Sequence, residues 1–232
     1  MSIHWYKKMS KSLTIIGTGS TQGNCHILDC DGEKLILDAG VRIEKIKKAL
    51  NWNVKDVKGA LVTHVHLDHS RSEDSLRLMG IEMMTPYHGS LMAKAKRLGN
   101  FRVAAFEVPH NGTPNYGFLI QYGKWKMVYI TDMEYCPFSF QNHHLNAMLI
   151  ECNHTQTNLE ASNYTHVVLG HASLDVTKEF VRVNATEDLT NVILCHLSDV
   201  NADPDLIKTE ISSVVPPMTK VDIAEKGMVI EL

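Results

Sequence analysis

At 232 residues the chain can bury one substantial core or at most two small ones. With 44% hydrophobic and 21% charged residues it has the make-up of an ordinary soluble globular protein. Its formal net charge of −3 excludes a global basic field, so contact with a polyanion must rest on a local patch or on bound cations.

The opening "MSIHWYKKMSKS" carries charge with no apolar stretch long enough for a secretory signal behind it. It reads as an extension over residues 1–12, with a single domain over 13–232. "SLTIIG" (12–17), "NCHILDC" (24–30) and "EKLILDAG" (33–40) predict short strands separated by glycine-containing turns. In "VRIEKIKKALNW" (41–52), Ile43, Ile46 and Leu50 recur at helical spacing with lysines opposite. "VKGALVTH" (57–64) is a buried strand running into a histidine cluster, and helical patterns follow at 70–79 and 88–98 with a strand "EMMT" between them. "FRVAAFEV" (101–108), "YGFLIQY" (116–122), "KMVYIT" (126–131), "LNAMLIEC" (145–152) and "NVILCH" (191–196) predict further strands. "DVTKEFVRV" (175–183) and "DPDLIKTEISSVV" (203–215) predict helices, the second with an Asp-Pro start. The tail "KVDIAEKGMVIEL" reads as a hairpin turning at Glu225–Lys226–Gly227. Strands in two groups, each followed by helices, favour two sheets packed face to face with helices outside: an α/β (α+β) sandwich. No run approaches the ~20 apolar residues of a membrane span. The five cysteines are odd in number, form no CxxC pair and lie mostly in apolar stretches. They read as free thiols of a reducing compartment, so a cytoplasmic location is expected.

"ALVTHVHLDHS" (60–70) crowds His64, His66, Asp68 and His69 behind an apolar run. Residues two apart on an extended chain share a side, so His64 and His66 can meet one cation while Asp68 and His69 reach a second beside it. Imidazole with carboxylate suits zinc, and Mn²⁺ or Fe²⁺ as well. Four side chains cannot complete two sites, and three more candidates follow apolar runs: His110 in "FEVPHNG", Asp132 in "VYITDME" and His196 in "VILCHLS". Singly each is more often a loop residue or a turn former. Their conjunction with an HxHxDH run points to a metal centre.

"THVHLDH" resembles the metal-binding motif of the metallo-β-lactamase superfamily, with His110, Asp132 and His196 where its later ligands fall. The resemblance implies a four-layer αββα sandwich with two divalent ions at one edge of its sheets. His64, His66 and His110 would hold one ion, Asp68, His69 and His196 the other, and Asp132 would bridge them. "GTGSTQGNCHIL", "LILDAG", "LIECNH", "LGHASL" and "LCHLSDVNADPDL" further resemble segments of the WalJ/YycJ-like nuclease subfamily. The chain departs from that subfamily at Asn111, where Asp is usual, at Thr155 and in "GHASLD", none of them an implied ligand position.

What this implies is a dinuclear phosphodiesterase that uses a metal-bridging hydroxide, a DNA exonuclease of repair or recombination with DNA, and recombination or repair proteins, as partners. Asp68 would ligate and also orient the nucleophile. His171 in "LGHASL" is a candidate general acid or phosphate contact, or else a structural histidine in a turn. Asn153 and His154 either steady the ligands or touch substrate; Ser20 and Asn24 of the Gly17–Asn24 loop stand in the same relation. That loop could offer N–H groups to a phosphate or simply close a turn. Basic residues in "DHSRSEDSLRLMG" and "MAKAKRLGNFR" form either a nucleic-acid track or a solvated face. His143, His144 and His26 read as incidental or packed. Rival readings are a small-molecule (cyclic nucleotide) phosphodiesterase, a thioester hydrolase of the same fold, and a catalytically idle module stapled by metal. No membrane association is expected, and a homodimer stands beside the monomer among allowed states.

Overall fold

The computed structural model describes residues 10–89, 94–155 and 169–232. Its first sheet comprises β1 (Lys11–Gly17), β2 (Cys25–Cys30), β3 (Glu33–Leu37), β4 (Val57–Leu61), β5 (Met83–Met84) and β13 (Val229–Glu231), in the order β13-β1-β2-β3-β4-β5. The second comprises β6 (Ala95–Leu98), β7 (Phe101–Val108), β8 (Asn115–Tyr122), β9 (Trp125–Ile130), β10 (Ala147–Glu151), β11 (Asn191–Cys195) and β12 (Lys220–Ile223), ordered β12-β11-β10-β9-β8-β7-β6.

Side chains alternate along a strand, so each sheet offers one face to its partner and one to the outside. Leu13, Leu28, Leu35 and Leu37 of the first sheet meet Phe101, Phe118, Ile120, Tyr129 and Leu149 of the second in a shared core. The outer face of the first sheet, with Ile27, Ile36 and Ala60, is covered by Ile46 of α1 (Ile43–Ala49) and Leu76 of α3 (Glu73–Leu78). On the second sheet, Val128, Ile150 and Val192 lie under Phe180 and Val181 of α4 (Leu174–Asn184) and Ile207 and Ile211 of α5 (Pro204–Ser212). The result is a mixed α/β sandwich with helices outside two packed sheets. Strands β10 and β11 run parallel and are buried throughout, as covered parallel strands must be. Helices α4 and α5 start where Ser173 and Asp203 accept the amides of Val176 and Leu206.

Two expectations are corrected. The helix expected at 88–98 is a 3₁₀ turn at Pro86–His88 and then strand β6, with residues 90–93 outside the described set. Leu98 packs in the core against Phe101, and Gly99 supplies the left-handed turn (φ 58°) that folds β6 back on β7. The tail is no hairpin either. The chain turns at Lys226–Gly227, but β12 pairs with β11 in one sheet and β13 with β1 in the other. Buried Ala224 in the core between the sheets marks the crossing. No helix among the described residues is long and apolar enough to cross a membrane, and the five cysteines are unpaired. Most of the expected extension, residues 1–9, lies outside the described residues.

Candidate metal centre

The side chains singled out at strand ends converge on one edge of the sandwich. His64 and His66 follow β4, and Asp68 and His69 lie on α2 (Leu67–Ser70). His110, Asp132 and His196 follow β7, β9 and β11. Asp132 and His196 adopt left-handed backbone (φ 53° and 55°), as does Asp38 after β3 (φ 56°). Such a conformation costs ~1–3 kcal/mol per non-glycine residue and is held only where the surroundings over-determine it. Here it turns the chain sharply at a strand end.

Three overlapping clusters share Asp132, the third adding Glu151 and His171 beside His196; the first two have the make-up of ion sites. His64, His66, His110 and Asp132 form the first; Asp68, His69, Asp132 and His196 form the second. In the first, His64 Nε2 lies 3.0 Å from His66 Nδ1, which lies 3.4 Å from His110 Nε2. Asp132 divides its carboxylate between the two. Its Oδ2 is 3.7 and 3.8 Å from the Nε2 atoms of His64 and His110. Its Oδ1 is 3.2 and 3.4 Å from those of His69 and His196. Asp68 Oδ2 closes the second cluster at 3.5 Å from His69 Nε2 and 3.9 Å from His196 Nε2. Donors about 2.0–2.1 Å from a tetrahedral cation stand roughly 3.3 Å from one another, so these separations fit a divalent ion in each cluster. His196 Nε2 is buried with no hydrogen-bond partner, which fits a ligand atom directed at a cation.

The far nitrogens of four of these rings are engaged, which fixes the tautomer presented inward. His69 Nδ1–H donates to Asp38 Oδ2 at 2.7 Å, and His110 Nδ1–H to the Gly170 carbonyl at 2.6 Å. His64 Nδ1–H donates to Thr63 Oγ1 at 3.0 Å, and that hydroxyl in turn donates to Asp38. His196 Nδ1–H donates to Glu151 Oε1 at 3.0 Å. Asp38 also accepts the Tyr129 hydroxyl (2.6 Å) and the Thr63 amide (2.8 Å).

The local field is anionic. Burial works against a charge on His196, yet Asp132, Asp68 and Glu151 lift its pKa to about 10. His69 is raised in the same way, burial opposed and overcome by Asp132 and Asp38. His64, under burial and then the neighbouring His69, falls to about 2. Burial likewise lowers His110. Carboxylates gathered under imidazoles call for compensating positive charge, which divalent ions provide.

The remaining expected residues surround this centre. His171 donates Nδ1–H to Glu151 Oε1 at 2.7 Å and stacks on His196 (centroids 5.1 Å apart, planes 15°). Asn153 Nδ2 donates to the His196 carbonyl at 2.9 Å, a steadying contact. His154 is buried one residue further on, with Nδ1 unpartnered. Asn24 Nδ2 approaches His69 Nε2 at 2.9 Å while its Oδ1 accepts the Gly19 amide. Ser20 is exposed on the rim of a pocket that includes Asp68. His26 is fully buried, edge-on to Tyr129, and outside all three clusters. His144 pairs with exposed Asp188, away from the centre. Sequence reasoning missed Asp38, Thr63 and Glu151 as parts of the site. The available signal was a carboxylate ending an otherwise apolar strand, in "LILD" and "AMLIE".

Residues 18–72 match the profile of the Metallo-beta-lactamase superfamily. Fold, His/Asp clusters and relatives together support a metal-dependent hydrolase with the metallo-β-lactamase fold. Among individual proteins it is similar to Exodeoxyribonuclease YycJ of Bacillus anthracis, 23% identical across 89% of this chain and 90% of that one. It is also similar to Exodeoxyribonuclease WalJ of Streptococcus pneumoniae, 26% identical across 81% of this chain and 82% of that one. In structure it resembles the metallo-beta-lactamase fold protein YhfI from Bacillus subtilis, with a TM-score of 0.72 at 17% identity over 96% of this chain and 99% of that one.

Proposed function

We propose that the chain is a dinuclear metal-dependent phosphodiesterase that digests DNA from its ends. The observation that carries the dinuclear part is the divided carboxylate of Asp132, one oxygen facing each histidine cluster. Similarity to exodeoxyribonucleases across most of the chain supports DNA as the substrate.

His64 Nε2, His66 Nδ1 and His110 Nε2 would hold one ion, and Asp68, His69 Nε2 and His196 Nε2 the other, with Asp132 shared. Imidazole and carboxylate donors at these separations favour zinc. Two such ions supply Lewis acidity for phosphoryl oxygens and a water of lowered pKa. Asp68, the partly exposed carboxylate of the second cluster, would orient the attacking water with the lone pairs it does not give to an ion. His171 lies in the same wall, and Glu151 fixes its Nδ1–H. Burial opposes its charged form, but Glu151 and then Asp132 raise its pKa and so favour the protonated ring. It is therefore suited to deliver that proton to the leaving oxygen.

The test is a screen of zinc- and manganese-loaded protein against end-labelled linear DNA, single strands, RNA, cyclic nucleotides and a thioester, alongside folded Asp132→Ala. Progressive shortening of DNA that vanishes in the variant is the expected result. Turnover of a cyclic nucleotide or thioester with DNA left intact would overturn the substrate, and metal-independent cleavage would overturn the mechanism.

A further inference from the structure

Beside the second cluster lies a pocket of about 370 Å³ that has Asp68 as one of its walls. Four cations line it from separate segments: Arg42 and Lys45 at the start of α1, Arg71 after α2, and Lys226 from the turn between the two sheets. All four are exposed, and none forms an ion pair among the described residues. Five other cations, Lys34, Arg77, Lys96, Lys178 and Arg182, each meet a carboxylate; what sets the pocket's four apart is their convergence on one concavity. A chain of net charge −3 has here gathered unneutralised positive charge around one concavity.

The floor of this pocket is backbone. A Cβ on Gly40 would lie 1.7 Å from the Asp68 carbonyl oxygen, and one on Gly23 would lie 2.2 Å from the Gly40 carbonyl oxygen. The Asn24 amide donates to the Asp68 carbonyl at 2.7 Å, and the Gly40 amide to the Asn24 carbonyl at 2.9 Å. The turn over Ser20–Gln22, closed by the Gly23 amide on the Gly19 carbonyl, forms another wall. The amides of Ser20, Thr21 and Gln22 donate to no acceptor among the described residues. Free backbone N–H groups beside guanidinium and ammonium groups make a cradle for a tetrahedral oxyanion. Because Asp68 belongs to both, the pocket adjoins the place where a phosphodiester would react.

We infer that this pocket binds a second, non-reacting phosphate of the substrate strand, one nucleotide step from the bond that is cut. The inference rests on the phosphodiesterase reading and deepens it. The centre then recognises a run of phosphates, one at the ions and one in the pocket. A small diester with a single phosphate leaves the pocket unused. Discrimination in favour of a phosphate-bearing strand comes from Arg42, Lys45, Arg71 and Lys226 rather than from the ligand cluster.

Two measurements separate this claim from the reading beneath it. The first needs no turnover: calorimetric titration of the metal-loaded protein with thymidine 3′,5′-bisphosphate, which offers no diester to cut, and, separately, with inorganic phosphate. The bisphosphate should bind, weakening at least tenfold in the double variant Arg71→Gln/Lys45→Gln. It should be unchanged in Lys208→Gln, an exposed cation on α5 remote from the pocket. Equal affinity for inorganic phosphate would assign the pocket to the free anion instead of a nucleotide strand. No binding, or binding indifferent to the double variant with its melting curve intact, would overturn the inference.

The second compares metal-loaded turnover of the dinucleotides TpT, pTpT and TpTp with that of bis(p-nitrophenyl) phosphate. One phosphorylated dinucleotide should show a KM at least tenfold below that of TpT, and the double variant should abolish that advantage. On single-stranded substrate each lost cation should also reduce the salt slope of log KM by about 0.7. An advantage that survives the double variant would sink the pocket. Absence of turnover on every diester would instead sink the phosphodiesterase reading, leaving the calorimetric result to stand by itself.

Discussion

Replacement of Glu151 by glutamine tests how the second cluster is held. The carboxylate ends β10 inside the protein, fully buried, and is divided like that of Asp132. Its Oε1 accepts from His171 Nδ1 (2.7 Å) and His196 Nδ1 (3.0 Å), and its Oε2 from the amides of Met133 (2.9 Å) and Ala172 (3.2 Å). Glutamine keeps the shape but has one acceptor atom. With that oxygen on the backbone amides, its NH₂ confronts two imidazole N–H groups. His196 must then rotate or move its proton to Nε2, the atom directed at Asp68 and Asp132. Each lost charge-assisted hydrogen bond is worth about 1.5–3 kcal/mol. Disordering a ligand's supporting contact costs about 10–100-fold in metal affinity, which is about 1.4–2.8 kcal/mol. The loss falls on one cluster only, because His64 and His110 rest on Thr63 and Gly170. Competition with a chromophoric chelator should therefore show one ion held as in wild type and one weakened 10–100-fold. The basic limb of the activity profile should also move to lower pH, since Glu151 is the first of the groups that raise the His171 pKa. Retention of both ions at wild-type affinity would refute the supporting role of Glu151.

His171→Ala should cost about 10²–10⁴ in kcat on DNA, with far less lost on bis(p-nitrophenyl) phosphate, whose leaving group needs no proton; equal losses on both would count against proton delivery. Gly40→Ala should be lost to the insoluble fraction or melt far below wild type, because no side chain can yield to a Cβ 1.7 Å from the Asp68 carbonyl oxygen; a soluble variant with unchanged melting would contradict that packing. His26, buried and then disfavoured further by His69, has its pKa lowered to about 3. Below about 6.5 the unfolded chain binds a proton there that the folded chain refuses, so stability present above 6.5 is lost as pH falls toward 3, by up to ~1.4 kcal/mol per unit. Urea midpoints between pH 7 and pH 5 should therefore fall more steeply in wild type than in His26→Leu, and parallel slopes would dismiss His26 as a contributor.

What could be read from the sequence followed from short-range regularity. Strands such as "LILD" and "MVYIT" declare themselves by apolar continuity, and a polar residue directly after such a run lands at the edge of a sheet. That is why His64, His110, Asp132 and His196 stood out. The strand β6 did not, because alternating lysine and alanine in "AKAKR" satisfies a helix or an exposed edge equally well, and only its pairing with β7 decides. The tail misled for a similar reason: a turn at Gly227 is local, whereas the sheet each flanking strand joins is a tertiary outcome. Glu151 escaped notice because its role depends on His171 and His196, which are 20 and 45 residues away in the chain. The cationic pocket was hidden for the same reason, its members being scattered from Arg42 to Lys226.

Each histidine cluster draws on both halves of the sandwich. His64, His66, Asp68 and His69 hang from the first sheet, and His110, Asp132 and His196 from the second. Ions seated there would act as rivets across the seam between the two layers, so their binding energy would belong to the fold as much as to the chemistry. A chelator would then do two things at once: silence the hydrolase and loosen the clasp between its sheets.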